Sequence, residues 1–180
     1  MAIDFDQIFA KAPHSGGSAF QWHQDQAYWP RMDADASAAT CWLAVSDTTL
    51  ENGCLRYLPG SHKEEELRPH FTMGSCRESA TTLFTPIDED REHPAHVPVS
   101  WGDLIVHHER CLHASAPNRS DGWRYVYVLS LHKAAWVAAE RAAGITYSYN
   151  DPISWSSWNR WPMAGGAEEG GTQGGGQERR

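Results

Sequence analysis

The segment that decides the fold is WRYVYVLSLH, at positions 123–132. Successive side chains of an extended strand point to opposite faces of a sheet. One face of this segment would carry Arg124, Val126, Val128 and Ser130, and the other would carry the aromatic and leucine side chains between them. The alternation predicts a strand of a half-buried sheet with an arginine on its apolar, inward side.

Several other short apolar runs are bounded by Gly, Pro and Asn, and long helical periodicity is scarce. The predicted strands are residues 38–46, 54–58, 97–99, 103–108 and 111–115, and a short helix is predicted at 134–143. Many short strands with few short helices favour an all-β sandwich or barrel, including the jelly roll.

Length and composition place these elements in one domain. The chain has 180 residues, enough for a sizeable core, and a net charge of −8 with no basic run. Nucleic acid and membranes are therefore poor partners, and no apolar stretch approaches membrane-spanning length. We predict an ordered domain over residues 1–163 and a disordered tail over 164–180, where Gly, Glu, Gln and Arg cannot bury apolar surface.

Cysteine usage predicts the compartment. Cys41, Cys54, Cys76 and Cys111 form no Cys-x-x-Cys pair, and the acidic N-terminus MAIDFD does not resemble a signal peptide. We therefore expect reduced, mostly buried thiols in a cytoplasmic protein.

The strongest chemical signal is the triplet His23-Gln24-Asp25. In an extended strand, positions 23 and 25 face the same way, about 6.6 Å apart, so an imidazole and a carboxylate converge. A second imidazole from a distant strand would complete a two-histidine, one-carboxylate set, which leaves half of an octahedral iron open for oxygen and a co-substrate. The triplet is weak by itself, because a chain of this composition contains about 0.6 such pairs by chance.

Arg124 needs an anionic partner, because an unpaired guanidinium on an apolar strand face is costly. One candidate is a protein carboxylate in a structural salt bridge. The other is the carboxylate of a small substrate, held by a bidentate clamp. Ser115 lies two residues beyond His113 on the same strand face and could give that carboxylate a second hydrogen bond.

Three stretches resemble the phytanoyl-CoA dioxygenase family of iron(II)- and 2-oxoglutarate-dependent oxygenases. They are FQWHQDQAYWP at 20–30, NGCLRYLPGSHK at 52–63, and the run from Gly102 through HASAPN at 113–118 to Arg124. The resemblance covers residues 7–133 and implies a double-stranded β-helix, that is, a jelly-roll or cupin-like fold. It also implies a dioxygenase that oxidises a small organic substrate while 2-oxoglutarate and O2 yield succinate and carbon dioxide.

The resemblance implies that His23, Asp25 and His113 bind iron(II) and act in catalysis. His107 and His108 compete for the second histidine position, but His108 lies five residues too early for the family spacing to the arginine. Asp25 favours hydroxylation, or another oxidation such as desaturation, because related halogenases carry a small residue there so that chloride can bind iron. The remaining histidines are interpreted as surface or structural residues, at positions 14, 62, 70, 93, 96 and 132.

The same resemblance implies a pocket for 2-oxoglutarate. Arg124, eleven residues beyond His113, would hold the far carboxylate with help from Ser115. Trp42 and Gln7 match positions that line this pocket in the family. No basic cluster indicates a CoA nucleotide, so phytanoyl-CoA is not favoured over a free small molecule.

Two other functions stay open. A zinc hydrolase or cupin-type isomerase would use the same three ligands, but it leaves Arg124 and Ser115 without a role. A non-catalytic or truncated member of the fold would only bind a metal or a ligand.

The short N-terminal segment leads to a further expectation. Only 22 residues precede His23, where the family has a longer segment that covers the main sheet. We therefore expect either a fragment of a longer enzyme or a homodimer through the aromatic face of Trp123, Tyr125 and Tyr127.

Overall fold

The computed structural model describes residues 1–29, 38–72 and 83–145. The end of the predicted domain, 146–163, and the predicted tail, 164–180, lie outside these ranges. The described chain forms a jelly roll, or double-stranded β-helix, in which two four-stranded antiparallel sheets face each other. Within these ranges we find no helix with the length and apolar character needed to cross a membrane.

The strands follow one another along the chain with few helices between them. They are β1 (Ala2–Lys11), β2 (Phe20–His23), β3 (Ala39–Ala44), β4 (Leu55–Tyr57), β5 (Phe71–Thr72), β6 (Leu83–Phe84), β7 (Ala95–Val97), β8 (Leu104–His108), β9 (His113–Ser115) and β10 (Arg124–His132). The α-helices are α1 (Glu89–Glu92) and α2 (Ala134–Ala142), and 3-10 helices cover Asp25–Tyr28 and Ser61–Lys63. The first sheet has the order β1-β10-β3-β8, the second has the order β2-β9-β4-β7, and β5 pairs with β6.

Strand β10 has the predicted alternation. Arg124, Val126 and Val128 are buried, whereas Trp123, just before the strand, and Tyr125 are 52% and 39% exposed. The buried face of β10 meets the second sheet because apolar side chains of both sheets gain by leaving water together. This core consists of Trp42, Ala44, Leu55, Tyr57, Val126 and Val128.

Most predicted elements are confirmed within a few residues. They are the strands at 38–46, 54–58, 103–108, 111–115 and 123–132 and the helix at 134–143. The strand predicted at 97–99 instead covers Ala95–Val97, because Pro98 has no amide hydrogen with which to extend the ladder. Strand β1 has no counterpart in the sequence analysis.

A close backbone approach positions the end of β9. Gly53 has a φ of 85°, and a Cβ atom at this position would overlap the carbonyl oxygen of Ala116. Only glycine fits here without moving the backbone. The contact holds the segment that follows Ser115 against the start of β4.

Candidate metal centre and anion pocket

Three side chains that were predicted to act together meet between the two sheets. His23 ends β2, Asp25 begins a 3-10 helix and His113 begins β9. The Nε2 atoms of His23 and His113 each lie 3.5 Å from Oδ1 of Asp25. One ligand atom from each of the three residues lies within 4.8 Å of the other two. The cluster can therefore surround one metal ion.

The triplet reaches this geometry although its strand ends at His23. The prediction that the strand continues through Asp25 was wrong, because the 3-10 helix begins at that residue. Gln24 between them is extended, with φ −114° and ψ 128°, so its two neighbours still point the same way. The buried Gln24 amide anchors two loops, donating to the Arg110 carbonyl at 2.8 Å and accepting from the Arg68 N–H at 3.0 Å.

A backbone carbonyl orients each histidine of the cluster. His23 Nδ1 lies 2.6 Å from the carbonyl oxygen of Gln21, and His113 Nδ1 lies 2.9 Å from that of Cys111. When each Nδ1–H donates to its carbonyl, the Nε2 lone pair faces Asp25. Burial lowers the pKa of His113, and the nearby His23 lowers it further, so this imidazole is in the neutral form that a metal requires.

Asp25 is held through the oxygen that faces away from these two histidines. Thr40 Oγ1 donates to Asp25 Oδ2 at 2.5 Å, and His107 Nε2 lies 3.1 Å from the same oxygen. The Tyr57 hydroxyl lies 2.8 Å from His107 Nδ1. Burial would raise the pKa of Asp25, but the three surrounding imidazoles outweigh this effect and hold its pKa well below the usual range. The carboxylate is therefore ionised, with Oδ1 available to a metal.

The structure separates the three candidates for the second histidine. His113 shares the cluster with His23, His107 lies behind Asp25, and His108 is exposed. Sequence reasoning missed the hydrogen-bonding roles of His107, Thr40 and Tyr57.

Two cationic side chains are buried together on the first sheet. Lys11 and Arg124 face each other across β1 and β10, and each is 1% exposed. Lys11 Nζ reaches the second sheet, where it donates to Ser115 Oγ at 2.7 Å and to the Ala116 carbonyl at 2.5 Å. The Arg124 guanidinium lies over the Trp42 ring, 5.3 Å from its centroid. Because Ser115 is two residues from His113, this cationic pocket adjoins the metal cluster.

No carboxylate in the described part of the chain neutralises Lys11 or Arg124. The structural salt bridge considered for Arg124 is therefore not formed there, and its Nε has no hydrogen-bond partner. Burial lowers the pKa of Arg124 to about 10. Burial, with repulsion from Arg124 and Arg56, also lowers the pKa of Lys11 to about 7. Two buried cations without a counter-charge favour an anionic ligand.

The other predicted pocket residues lie on neighbouring strands. Ser115 is buried at the end of β9, and Trp42 is buried on β3. Gln7 lies on β1 opposite Val128, and its side chain is exposed. Lys11 was not assigned a role from the sequence, although a lysine four residues beyond Gln7 on the same strand face was a usable signal.

Comparison with known proteins identifies the family. The family model for phytanoyl-CoA dioxygenase (PhyH) matches residues 3–126. The Caenorhabditis elegans phytanoyl-CoA dioxygenase domain-containing protein 1 homolog is 32% identical over 125 residues, which cover 66% of this chain and 42% of that protein. Peroxisomal phytanoyl-CoA dioxygenase of Homo sapiens is 32% identical over 121 residues, which cover 65% of this chain and 35% of that protein. The chain spans less than half the length of these curated relatives.

Solved structures share the fold. EvdO2 from Micromonospora carbonacea var. aurantiaca, complexed with 2-oxoglutarate, is 30% identical with a TM-score of 0.62, covering 72% of this chain and 51% of that one. SnoK from nogalamycin biosynthesis, a non-heme alpha ketoglutarate dependent carbocyclase, is 25% identical with a TM-score of 0.56, covering 73% of this chain and 49% of that one. The match over residues 3–126 includes all three resembling stretches in full, and the chain belongs to the phytanoyl-CoA dioxygenase family.

Proposed function

We propose that this chain binds iron(II) and 2-oxoglutarate and forms the core of an oxygenase that hydroxylates, or otherwise oxidises, a small organic substrate. The observation that carries the proposal is the buried pair Lys11 and Arg124, which adjoins the metal cluster and has no carboxylate partner among the described residues. A dicarboxylate co-substrate fits both the metal cluster and the buried cations, because one end can bind the metal while the other neutralises Lys11 and Arg124. A zinc hydrolase or isomerase would not require the cation pair.

One set of residues would bind the metal and another would bind the co-substrate. His23, Asp25 and His113 would hold iron(II), which supplies the redox chemistry that couples 2-oxoglutarate and oxygen to substrate oxidation. Arg124 and Ser115 would bind the far carboxylate of 2-oxoglutarate and fix its orientation. Lys11 would hold the Ser115 hydroxyl in place and add a second positive charge.

The test is an anaerobic titration of iron(II)-loaded protein with 2-oxoglutarate, followed by the visible metal-to-ligand charge-transfer band. We expect a band in the parent protein and none in His113→Ala, whose metal cluster is incomplete. Folded protein that binds iron(II) but gives no band would refute co-substrate binding at this metal. Zinc binding without any effect of 2-oxoglutarate would favour the hydrolase or isomerase alternative.

Thr40→Val is expected to weaken iron(II) binding about tenfold, because partners that hold a ligand carboxylate tune metal affinity by about 10–100-fold. The variant removes the 2.5 Å hydrogen bond to Asp25 and keeps the side-chain shape. Equilibrium dialysis under nitrogen measures the change. Thr40→Ser retains the hydroxyl and serves as the matched control, so equal losses in both variants would argue against this role.

The affinity for 2-oxoglutarate is expected to fall as pH rises above about 7, the pKa of Lys11 in the folded protein. A carboxylate bound beside the ammonium raises that pKa, so binding takes up a proton. Each pH unit above 7 then weakens binding by up to about tenfold until the pKa of the complex is reached. Anaerobic titrations between pH 7 and 9 measure this slope.

Lys11→Met is the control for this pH dependence and should remove the slope. The folding stability of the apo-protein is expected to change with pH in the opposite direction to the affinity, because Lys11 in the unfolded chain keeps its usual pKa of 10.5. Between pH 7 and 10.5 the unfolded chain holds a proton that the folded chain has released, so Lys11 makes the apo-protein more stable as pH rises through this window. An affinity that stays constant from pH 7 to 9 would contradict the assignment.

A homodimer through the face of Trp123, Tyr125 and Tyr127 remains a prediction. Trp123 and Tyr125 are exposed and stack with their centroids 5.8 Å apart, whereas the Tyr127 hydroxyl donates to Asp6. Sedimentation velocity is expected to show a dimer that Trp123→Ser/Tyr125→Ser converts to a monomer. A monomeric parent at high concentration would refute it.

The cytoplasmic location also remains a proposal. Cys41, Cys54 and Cys111 are free thiols, the first two buried, which fits a reducing compartment.

A further inference from the structure

A second cluster of metal-ligating side chains lies where β1 and β10 meet α2. Asp4 comes from β1, His132 ends β10 and Glu140 lies in α2. All three are buried, and one ligand atom from each lies within 4.8 Å of the other two. The cluster is at the opposite end of the β1–β10 pair from Lys11 and Arg124. Interpreting His132 as a surface or structural residue gave this cluster no role.

Two atoms of the cluster face each other without a hydrogen-bond partner in the described part of the chain. They are Asp4 Oδ2 and His132 Nδ1, which lie 3.5 Å apart on side chains that are both 0% exposed. At this distance and geometry they do not bond to each other. Buried polar atoms are almost always paired, so this arrangement favours a ligand that bonds to both atoms.

The remaining polar atoms of these two side chains are already held. Arg141 Nη2 donates to Asp4 Oδ1 at 2.7 Å, and Ser130 Oγ lies 3.0 Å from His132 Nε2. Partners behind a ligand fix its orientation in this way at metal sites.

The distances fit a first-row metal. Nitrogen and oxygen ligands lie about 2.0–2.2 Å from zinc in a tetrahedral site, which places them about 3.3–3.6 Å from one another. The separation of 3.5 Å between Asp4 and His132 lies in this range and equals the two His–Asp25 separations in the first cluster.

We propose that Asp4, His132 and Glu140 form a second metal site, for a divalent first-row cation such as zinc, with water as a further ligand. One imidazole and two carboxylates are a donor set that zinc accepts. The metal would join β1, which carries Lys11 at its far end, to the helix that follows β10. This site stands independently of the proposed oxygenase function.

The test measures how many zinc ions bind to protein in which substitutions have disrupted the first metal cluster. We expect chelator-stripped His23→Ala/His113→Ala protein to bind one equivalent of Zn(II) in calorimetry, with a rise in Tm of about 5 °C or more at saturating zinc. Adding Glu140→Gln in the same background is expected to weaken this binding at least about tenfold. The parent is expected to bind two equivalents, and the single Glu140→Gln variant one.

Two results would overturn the assignment. One is the absence of zinc binding by the double variant when circular dichroism shows that it is folded. The other is binding that Glu140→Gln and His132→Gln both leave unchanged, since the ion would then lie elsewhere. If the double variant does not fold, the zinc stoichiometry of the parent is the test. A parent that binds a single equivalent of Zn(II), and loses it in His113→Ala, would equally exclude the second site.

Discussion

Arg124→Met is expected to weaken 2-oxoglutarate binding strongly while leaving the apo-protein at least as stable as the parent. Arg124 is 1% exposed and has no carboxylate partner among the described residues, so its charge is a cost that only a bound anion offsets. An apolar side chain of similar length removes the desolvation penalty of this charge, so the substitution is expected to be neutral or stabilising for the apo-protein. Losing a bidentate, charge-assisted clamp should weaken 2-oxoglutarate binding by about 10²–10³-fold.

A loss of 2-oxoglutarate affinity without a loss of folding stability distinguishes a ligand-binding arginine from a structural one. Anaerobic titration measures the affinity for 2-oxoglutarate, and urea denaturation of apo-protein measures the free energy of unfolding. Arg56→Met is the matched control, because Arg56 already has a protein partner in Glu89 at 2.9 Å. We expect this control to leave the affinity within about threefold of the parent. An Arg124→Met variant that is strongly destabilised and still binds 2-oxoglutarate normally would show that the guanidinium is structural.

Strand β10 is the clearest of the strands that the sequence predicted. Strand β10 alternates over its whole length, so its buried face could be read directly from positions 123–132. Strand β1 could not be read in this way. It carries Asp4 and Asp6, and its register shifts between Ile3 and Phe5, so the alternation changes phase within the strand. Its pairing with β10 is a long-range contact that no local pattern specifies.

The candidate site likewise has a part that a local sequence pattern predicts and a part that depends on how the strands pair. His23 and Asp25 are two residues apart, and a local pattern was enough to place them together. The side chains behind Asp25 come from three other strands, and their positions depend on register: Thr40 pairs with His107 across β3 and β8, while Tyr57 pairs with His113 across β4 and β9. The roles of these residues emerge only when both sheets are assembled. The pocket role of Gln7 stays a prediction.

Asp25→Asn is expected to lose iron(II) binding as completely as Asp25→Ala, by about 10³-fold or more. This exceeds the 10–100-fold that changes behind a ligand cost. Asparagine preserves the shape but has a single acceptor oxygen. Thr40 Oγ1 donates to Oδ2 of Asp25, and His107 Nε2 lies 3.1 Å from the same oxygen. The atom at the Oδ2 position must therefore accept a hydrogen bond, so the asparagine oxygen would occupy it. The amide nitrogen would then face His23 and His113, and it has no lone pair for a metal.

A combined variant tests this explanation against a simple loss of charge. Adding Thr40→Val and His107→Phe to Asp25→Asn removes both groups that hold the amide oxygen, so the amide can turn that oxygen toward the two Nε2 atoms. We expect the triple variant to bind iron(II) about tenfold more tightly than Asp25→Asn alone, although both substitutions weaken the parent. Equilibrium dialysis under nitrogen measures both changes. If the single variant binds within tenfold of the parent, Oδ1 of Asp25 is not the metal ligand. If the triple variant binds no better than the single one, the lost charge, rather than the hydrogen bonds behind Asp25, accounts for the defect.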